Sequence, residues 1–505
     1  MTRPASGWAP PALPGVSDSH LASRAPALRW PPNLAPVPLG TLVLLPLSCL
    51  LGAAWREWQG SFWTYAWMSL VFAAALAAAL HQPRSVGLAI LALVSWIGYW
   101  LKLALHLVEV QPAWFEPTGR FVGDRAGWDE VALVASAGGL GLLAAALILR
   151  CLPPQGIVAA GDVSRPAPAG RRLGVRVLIV ATGCLVLVNE ALGLFHAGLR
   201  PAVVLPWPWH GVLGWTVSVG LALPASAWLY QDLRAGRAPW PGLLLFLGVG
   251  AAVSISTCSR GTLAMQVMPL LAALFLYRRQ FPGAGPRQLV LAGLLALVFV
   301  GLTVGASQQR RAATLPEAHL ATDNPQSSEK SAWFALPRDF PAVLARLSVD
   351  RWIGLEGVMA VTAWPGKSSA TLAHAAVQRR DLDHVDFYTA QVAGGTPVDT
   401  ARRHFASPPG LFAFLHLSGS LAVVFAGSLV ASLVLALGER AVMRLSCNPF
   451  LAAQVGGYGA MVVMQAGAGG LIQPATSLAF TLAVVCLPGL ALRHWRAPAR
   501  AAGSC

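Results

Sequence analysis

Residues 289–307 read LVLAGLLALVFVGLTVGAS, without one charged side chain, between Arg287 on one side and Arg310-Arg311 on the other. A helix needs about 20 apolar residues to cross a hydrocarbon core of roughly 30 Å. Within lipid a backbone must satisfy its own hydrogen bonds, which an α-helix does and an isolated strand does not. This stretch is therefore expected to be a membrane-spanning helix. The hydrophilic segment after it, 308–409, is expected to be a large extramembrane loop.

Runs of the same kind recur along the chain, at about 38–55, 61–80, 86–108, 130–149, 174–194, 211–229, 241–258, 262–277, 410–436, 451–469 and 473–492. With 289–307 they predict an all-α, polytopic membrane protein of about 12 transmembrane helices, the large loop lying between helices 9 and 10. Composition agrees. Over its 505 residues the chain is 55% hydrophobic and 11% charged, with a mean hydropathy of +0.59, where a soluble domain carries about 25% charged residues. No alternation over ten-residue segments suggests a barrel.

The net charge of +15 would point to nucleic acid in a soluble protein. Here its distribution follows the rule that cytoplasmic loops collect Lys and Arg. Placing Arg150, Arg165, Arg171 and Arg172 inside puts Arg234 and Arg237, Arg278, Arg279 and Arg287, Arg440 and Arg444, and the tail Arg493, Arg496 and Arg500 inside by alternation. Both termini are then expected in the cytoplasm, and loop 308–409 outside. Residues 1–36, rich in Pro, Ala and Ser, predict a cytoplasmic tail without structure, and 493–505 is expected to be a short cytoplasmic tail. No basic stretch interleaves with base-stacking aromatics, so nucleic acid is not an expected partner. None of the seven cysteines lies in the long loop, and no Cys/His spacing suggests zinc.

Within the loop, Asp339 and Pro341 suit a helix start. Phe340, Val343, Leu344, Leu347, Leu355 and Val358 then recur at helical spacing, predicting an amphipathic helix over about 340–362. Arg351 falls inside that stripe. An arginine on a buried face needs an anion, either a local carboxylate such as Asp350 or Glu356, or an anionic substrate. Arg260, in the turn Cys258-Ser259-Arg260-Gly261, also faces outward, as an interfacial anchor or a substrate contact. Arg310-Arg311 opens the loop and Arg402-Arg403-His404 closes it. Positive charge on the outer side runs against the orientation rule, and phosphate, which guanidinium matches bidentately, is one reason for it. Glu190 and Lys102 are ionisable residues within spans, so they are candidates for function and for pairing with each other. Asp381, Asp383, His384 and Asp386 read as an acidic solvated turn rather than a cation site.

Two segments carry a resemblance: Ser256-Thr257-Cys258-Ser259-Arg260-Gly261, and Ser407-Pro408-Pro409-Gly410-Leu411-Phe412-Ala413-Phe414-Leu415-His416-Leu417-Ser418-Gly419-Ser420. A Ser-Arg-Gly-like turn before a long loop, and a Pro-Gly with a Gly-containing apolar helix after it, resemble the Wzy-type O-antigen and exopolysaccharide repeat-unit polymerases, and more distantly the O-antigen ligases. Pro-Pro-Gly stands here for the usual Pro-Gly. The resemblance implies a metal-independent glycosyltransferase of the bacterial inner membrane that needs no cofactor. Its donor would be a glycan on undecaprenyl diphosphate, and its acceptor a sugar hydroxyl of a second lipid-linked unit. A chain-length regulator and other polysaccharide-export proteins would be its partners, besides membrane lipid.

On that reading Arg260 and Arg351 would be catalytic, and Arg260, Arg310, Arg311, Arg402 and Arg403 would engage the diphosphate. Arg260 matches by its turn; Arg310, Arg351 and Arg402 match by location in the loop. Charge growing on the leaving diphosphate would be stabilised by these arginines, and the acceptor hydroxyl needs a base, for which Glu356, Asp350 and His404 are candidates. An O-antigen ligase would use the same donor with a lipid A–core sugar or a protein as acceptor. A lipid-linked oligosaccharide flippase or other transporter would instead favour short outer loops and ionisable groups deep in the spans.

Overall fold

The computed structural model describes residues 37–81, 85–108, 114, 116–153, 168–197, 200–206, 208–259, 261–278, 281, 285–314, 352–378, 386–394, 408–467 and 470–502. Two compact units make up the chain, Met1–Gly52 and Ala53–Cys505, and the described part of the first is helical. Among the described residues no strand occurs, apart from one isolated bridge between Gly467 and Gly470.

Every apolar run of the sequence is helical. Among the described residues seven helices are long and apolar enough to cross a membrane: Phe62–His81, Val86–Leu107, Arg125–Cys151, Arg171–Leu192, Trp209–Arg234, Arg287–Arg310 and Leu421–Ser446. Four more are apolar but shorter, Trp240–Ser256, Thr262–Tyr277, Pro449–Met464 and Ile472–Leu487. The run 410–436 is not one helix. Leu411–His416 ends at Gly419, whose φ of +73° closes the turn, and Ser420 caps a new helix, Leu421–Ser446, by accepting from the Val423 amide at 3.4 Å.

Helix 125–151 packs against 62–81 and 421–446, and 449–464 packs against 86–95, 262–277 and 421–446. Small residues permit these contacts. A Cβ at Gly138 would sit 2.4 Å from the Phe412 ring, one at Gly139 2.8 Å from Val71, and one at Gly141 2.7 Å from the Phe425 carbonyl. Between apolar helices in lipid, such close approach is what draws them together. Helices 171–192 and 287–310 instead expose Leu173, Val177, Ile179 and Leu187, and Val290, Leu294, Leu297 and Leu302, a surface suited to hydrocarbon.

The two ends of the core differ. At one end Glu439 accepts from the Ser85 hydroxyl (2.5 Å) and the Val86 and Gly87 amides (both 2.8 Å), closing the start of helix 86–107. There too Arg440 donates to the Pro153 carbonyl at 3.1 Å, and Arg150 to the Ala78 carbonyl at 2.9 Å. Elsewhere, Asp232 takes Arg171 and Arg237 as partners. At the opposite end, where helix 86–107 finishes and 125–151 begins, sits the described part of the long loop. Of the helix expected over about 340–362, the structure describes Leu355–Ala363 as helical and Trp352–Gly354 as non-helical, while 340–351 lie outside the described residues. Leu355 to Thr362 are all buried, Glu356 included, so this part of the helix has no solvent-facing side.

Backbone meets backbone around it. A Cβ at Gly98 would lie 2.6 Å from the Ile353 carbonyl, one at Gly354 2.6 Å from that of Gly98, and one at Gly357 2.0 Å from that of Pro409. Overfilling a packed interior costs about 1–3 kcal/mol. Gly357→Ala is expected to lower the melting temperature of the detergent-purified protein, whereas Gly248→Ala, whose Cβ meets nothing within 4 Å, is expected to leave it unchanged or raise it. Equal melting of the two variants would contradict this packing.

Candidate functional site

Helix 86–107 does not run as a regular α-helix. A π turn over Trp96–Leu101 widens it just before Lys102, a distortion frequent at functional positions. Trp96 and Trp100 stack at 5.1 Å, and Tyr99 stacks on Phe72 at 5.8 Å and on Phe412 at 4.6 Å. Lys102 is thereby held against the loop helix, in an ion pair with Glu356. The two side chains are 2% and 1% exposed, and the Lys102 ammonium also donates to the Trp352 carbonyl at 3.2 Å. Burial pushes the Glu356 carboxyl above the usual carboxylate range, against the pull of the Lys102 ammonium. Its Oε2 has no hydrogen-bond partner among the described residues. Lys102 therefore partners Glu356, not Glu190.

Glu190 pairs with Arg310. Beside that pair, Asn189 donates to the Ser256 carbonyl (3.0 Å) and hydroxyl (2.9 Å), and Ser307 to the Ser254 carbonyl at 3.3 Å. The turn flanking position 260 is thus tied to helices 168–192 and 286–314, bringing Ser256–Ser259, Glu190 and Arg310 into one neighbourhood. Arg260 itself, Asp350, Arg351, Arg402, Arg403 and His404 lie outside the described residues, as does the side chain of Arg311. Of the acidic turn, Asp386 is described, and it accepts from the Thr389 amide (3.0 Å) and hydroxyl (2.8 Å).

A further cluster involves residues that sequence reasoning misses. Glu130 lies in the first turns of helix 125–151, which Asp124 caps by accepting from the Gly127 amide at 2.9 Å. Its Oε1 meets His416 Nε2 at 2.9 Å and Lys367 Nζ at 2.6 Å. Lys367 also donates to the Thr362 carbonyl at 2.9 Å, at the end of the loop helix. The Ser368 amide donates at 2.8 Å to the Leu417 carbonyl, which the break after His416 leaves open. His416 is buried, but Glu130 is 40% exposed, so one face of this carboxylate is open while a buried imidazole and an ammonium orient the other. Nothing in the local sequence flags it. A carboxylate at a helix start reads as a dipole partner, and a lone histidine in an apolar run reads as core. Its presence inside a span was the one available signal.

On the other flank of the loop helix a groove of ≈ 200 Å³ is lined by Arg120, Ala360, Trp364, Ala390, Gln391, Val392 and Gly394. Behind it Tyr388 is buried; burial first, and then Glu116, Glu356 and Asp386, raise its hydroxyl pKa. Set against protein families, characterised proteins and solved structures, the chain finds no match. What this end of the molecule can do is therefore argued from its own geometry: a buried ion pair that fixes a loop helix, a half-open carboxylate backed by a histidine, and a groove carrying an arginine and a tryptophan.

Removing one partner of a buried ion pair leaves an uncompensated charge and costs about 3–5 kcal/mol, whereas replacing both with apolar groups of similar size is often neutral. Lys102→Met is expected to lower the melting temperature sharply, and Lys102→Met with Glu356→Leu to recover most of the loss. A double variant as unstable as the single one would show that the pair is not what Lys102 contributes.

Proposed function

We propose that this chain is a membrane glycosyltransferase that joins oligosaccharide repeat units carried on undecaprenyl diphosphate, an O-antigen or exopolysaccharide polymerase with about twelve spans. It would sit in the bacterial inner membrane with both termini in the cytoplasm and the loop end of the bundle facing the periplasm. The observation that carries the reading is the contact of Glu130 with His416 and Lys367. His416 belongs to the Pro-Pro-Gly segment that resembles the polymerases, and that segment forms a separate short helix beside the loop. A carboxylate open on one side and held on the other by an imidazole has the arrangement a general base needs.

In the proposed reaction the acceptor sugar hydroxyl binds the open side of Glu130. Its oxygen attacks the anomeric carbon of the donor, the bond from that carbon to the diphosphate oxygen breaks, and the electron pair leaves with the diphosphate. The hydroxyl proton passes to Glu130, with His416 keeping the carboxylate oriented. Arginines neutralise the leaving diphosphate, a role that Arg260, Arg351, Arg402 and Arg403 keep from the resemblance. Glu356, enclosed with Lys102, is assigned to positioning the loop helix rather than to proton transfer.

Purified protein incubated with undecaprenyl diphosphate-linked repeat units is expected to yield a ladder of elongated glycans. Glu130→Gln and His416→Ala are each expected to slow elongation by about 10²–10⁴-fold, the usual share of a general base; His416 is buried, so Glu130→Gln is the variant expected to keep a melting temperature near that of wild type. Absence of a ladder from wild type would defeat the proposal, and a single transfer to lipid A–core would make the enzyme a ligase. Full elongation by Glu130→Gln would remove the base assignment.

A further inference from the structure

The groove beside the loop helix is built rather than incidental. Gly119, at φ +63°, would place a Cβ 2.6 Å from the Val392 carbonyl and 3.3 Å from Ala360. The backbone before Arg120 is therefore pressed onto two residues of the groove wall, which fixes where the Arg120 side chain starts. Trp364 is fixed as well: its ring meets Phe387 edge-on at 5.6 Å, and Gly366 leaves room for it, since a Cβ there would lie 2.4 Å from the indole. Val392 is held by the π turn Tyr388–Val392, whose start Asp386 caps through Thr389.

Arg120 is exposed and makes no ion pair or hydrogen bond among the described residues. Of the described carboxylates that act on Tyr388, Asp386 is engaged by Thr389 and Glu356 by Lys102. Glu116, which also acts on Tyr388, has a partner of its own. An arginine anchored by its backbone yet left without an anion is a fork waiting for a planar, singly charged oxygen pair. Trp364 and Gln391 line the same groove.

We propose that this groove binds an acidic pyranose, a hexuronate-type sugar whose carboxylate pairs with Arg120. The apolar face of the ring would pack on Trp364, and a hydroxyl would bond to Gln391. Size supports a single sugar ring: ≈ 200 Å³ falls short of the roughly 300–1,000 Å³ usual for drug-sized ligands. Chemistry separates a carboxylate from a phosphate. Phosphate sites gather several cationic or backbone donors around one centre, whereas this groove has a single guanidinium among its lining residues. The inference extends the polymerase reading by specifying a charged sugar in the substrate glycan, but the binding event does not depend on elongation.

The test uses the full-length protein in detergent micelles with free sugars, so that the polymerase reading and this one fail separately. Calorimetry and saturation-transfer NMR compare α-methyl glucuronide, α-methyl glucoside and inorganic phosphate. Glucuronide is expected to bind at least about tenfold more tightly than glucoside, a difference worth about 1.4 kcal/mol, and phosphate is expected not to displace it. Arg120→Gln, a change at an exposed side chain, should abolish that preference while leaving glucoside binding and the melting temperature as they are. Trp364→Ala should weaken both sugars about tenfold or more. Equal affinity for the two sugars, displacement by phosphate, or an unchanged preference in Arg120→Gln would each overturn the proposal.

Discussion

An ammonium and a carboxylate buried together, Lys102 and Glu356, tie a membrane helix to the loop that comes some 250 residues later in the chain. Neither charge is tolerable there alone, because desolvation costs each ion several kcal/mol that only the other repays. The pairing therefore acts as a register device. It admits one placement of the loop helix against helix 86–107, with Gly98 and Gly354 in backbone contact and Gly357 against Pro409. Everything at this end of the molecule takes its position from that helix. Lys367 reaches back to the Thr362 carbonyl, the groove wall includes Ala360 and Trp364, and the short helix 411–416 packs alongside.

Two kinds of interaction divide the work along the bundle. Between the spans, small residues bring backbones together where no aqueous drive exists to bury apolar surface; the run from Gly138 to Gly141 is the clearest case. At the ends, polar groups close the structure. Glu439 receives the start of helix 86–107, Asp232 gathers two arginines, and Glu130 gathers a lysine and a histidine. Of these carboxylates, Glu439 and Asp232 are buried and fully engaged, whereas Glu130 keeps an open side. That difference in exposure separates a closure from a candidate catalytic group. Positional chemistry then does the rest, because the groove and the carboxylate flank one helix.

Individual residues of these sites were legible before their relations were. Lys102 and Glu190 stand out in any reading that looks for ionisable groups in apolar runs, and Glu356 as a candidate base or arginine partner on the amphipathic helix expected in the loop. Their partners did not follow. Glu190 meets Arg310, and Lys102 meets Glu356, because helices 168–192 and 286–314 converge while 86–107 turns toward the loop. Sequence spacing does not encode such convergence. Glu130 and His416 were missed for a different reason: each is unremarkable in its own segment, and their meaning lies in a contact across 286 positions. Arg120, in a short polar connection, carries no pattern at all.

The amino-acid sequence by itself determined that the chain is helical and built for a membrane. Hydrophobic length is a local property, and a backbone in lipid has one way to satisfy itself within a segment. A few helix starts also carry local caps, Asp124 and Asn448 among them. Only the tertiary structure decided where the apolar run at 410–436 breaks, that the loop helix is buried all round, and which charges pair. Those outcomes depend on neighbours brought close by packing. The energy of a buried charge or a crowded glycine is set by what stands next to it in space, not by what precedes it in the chain.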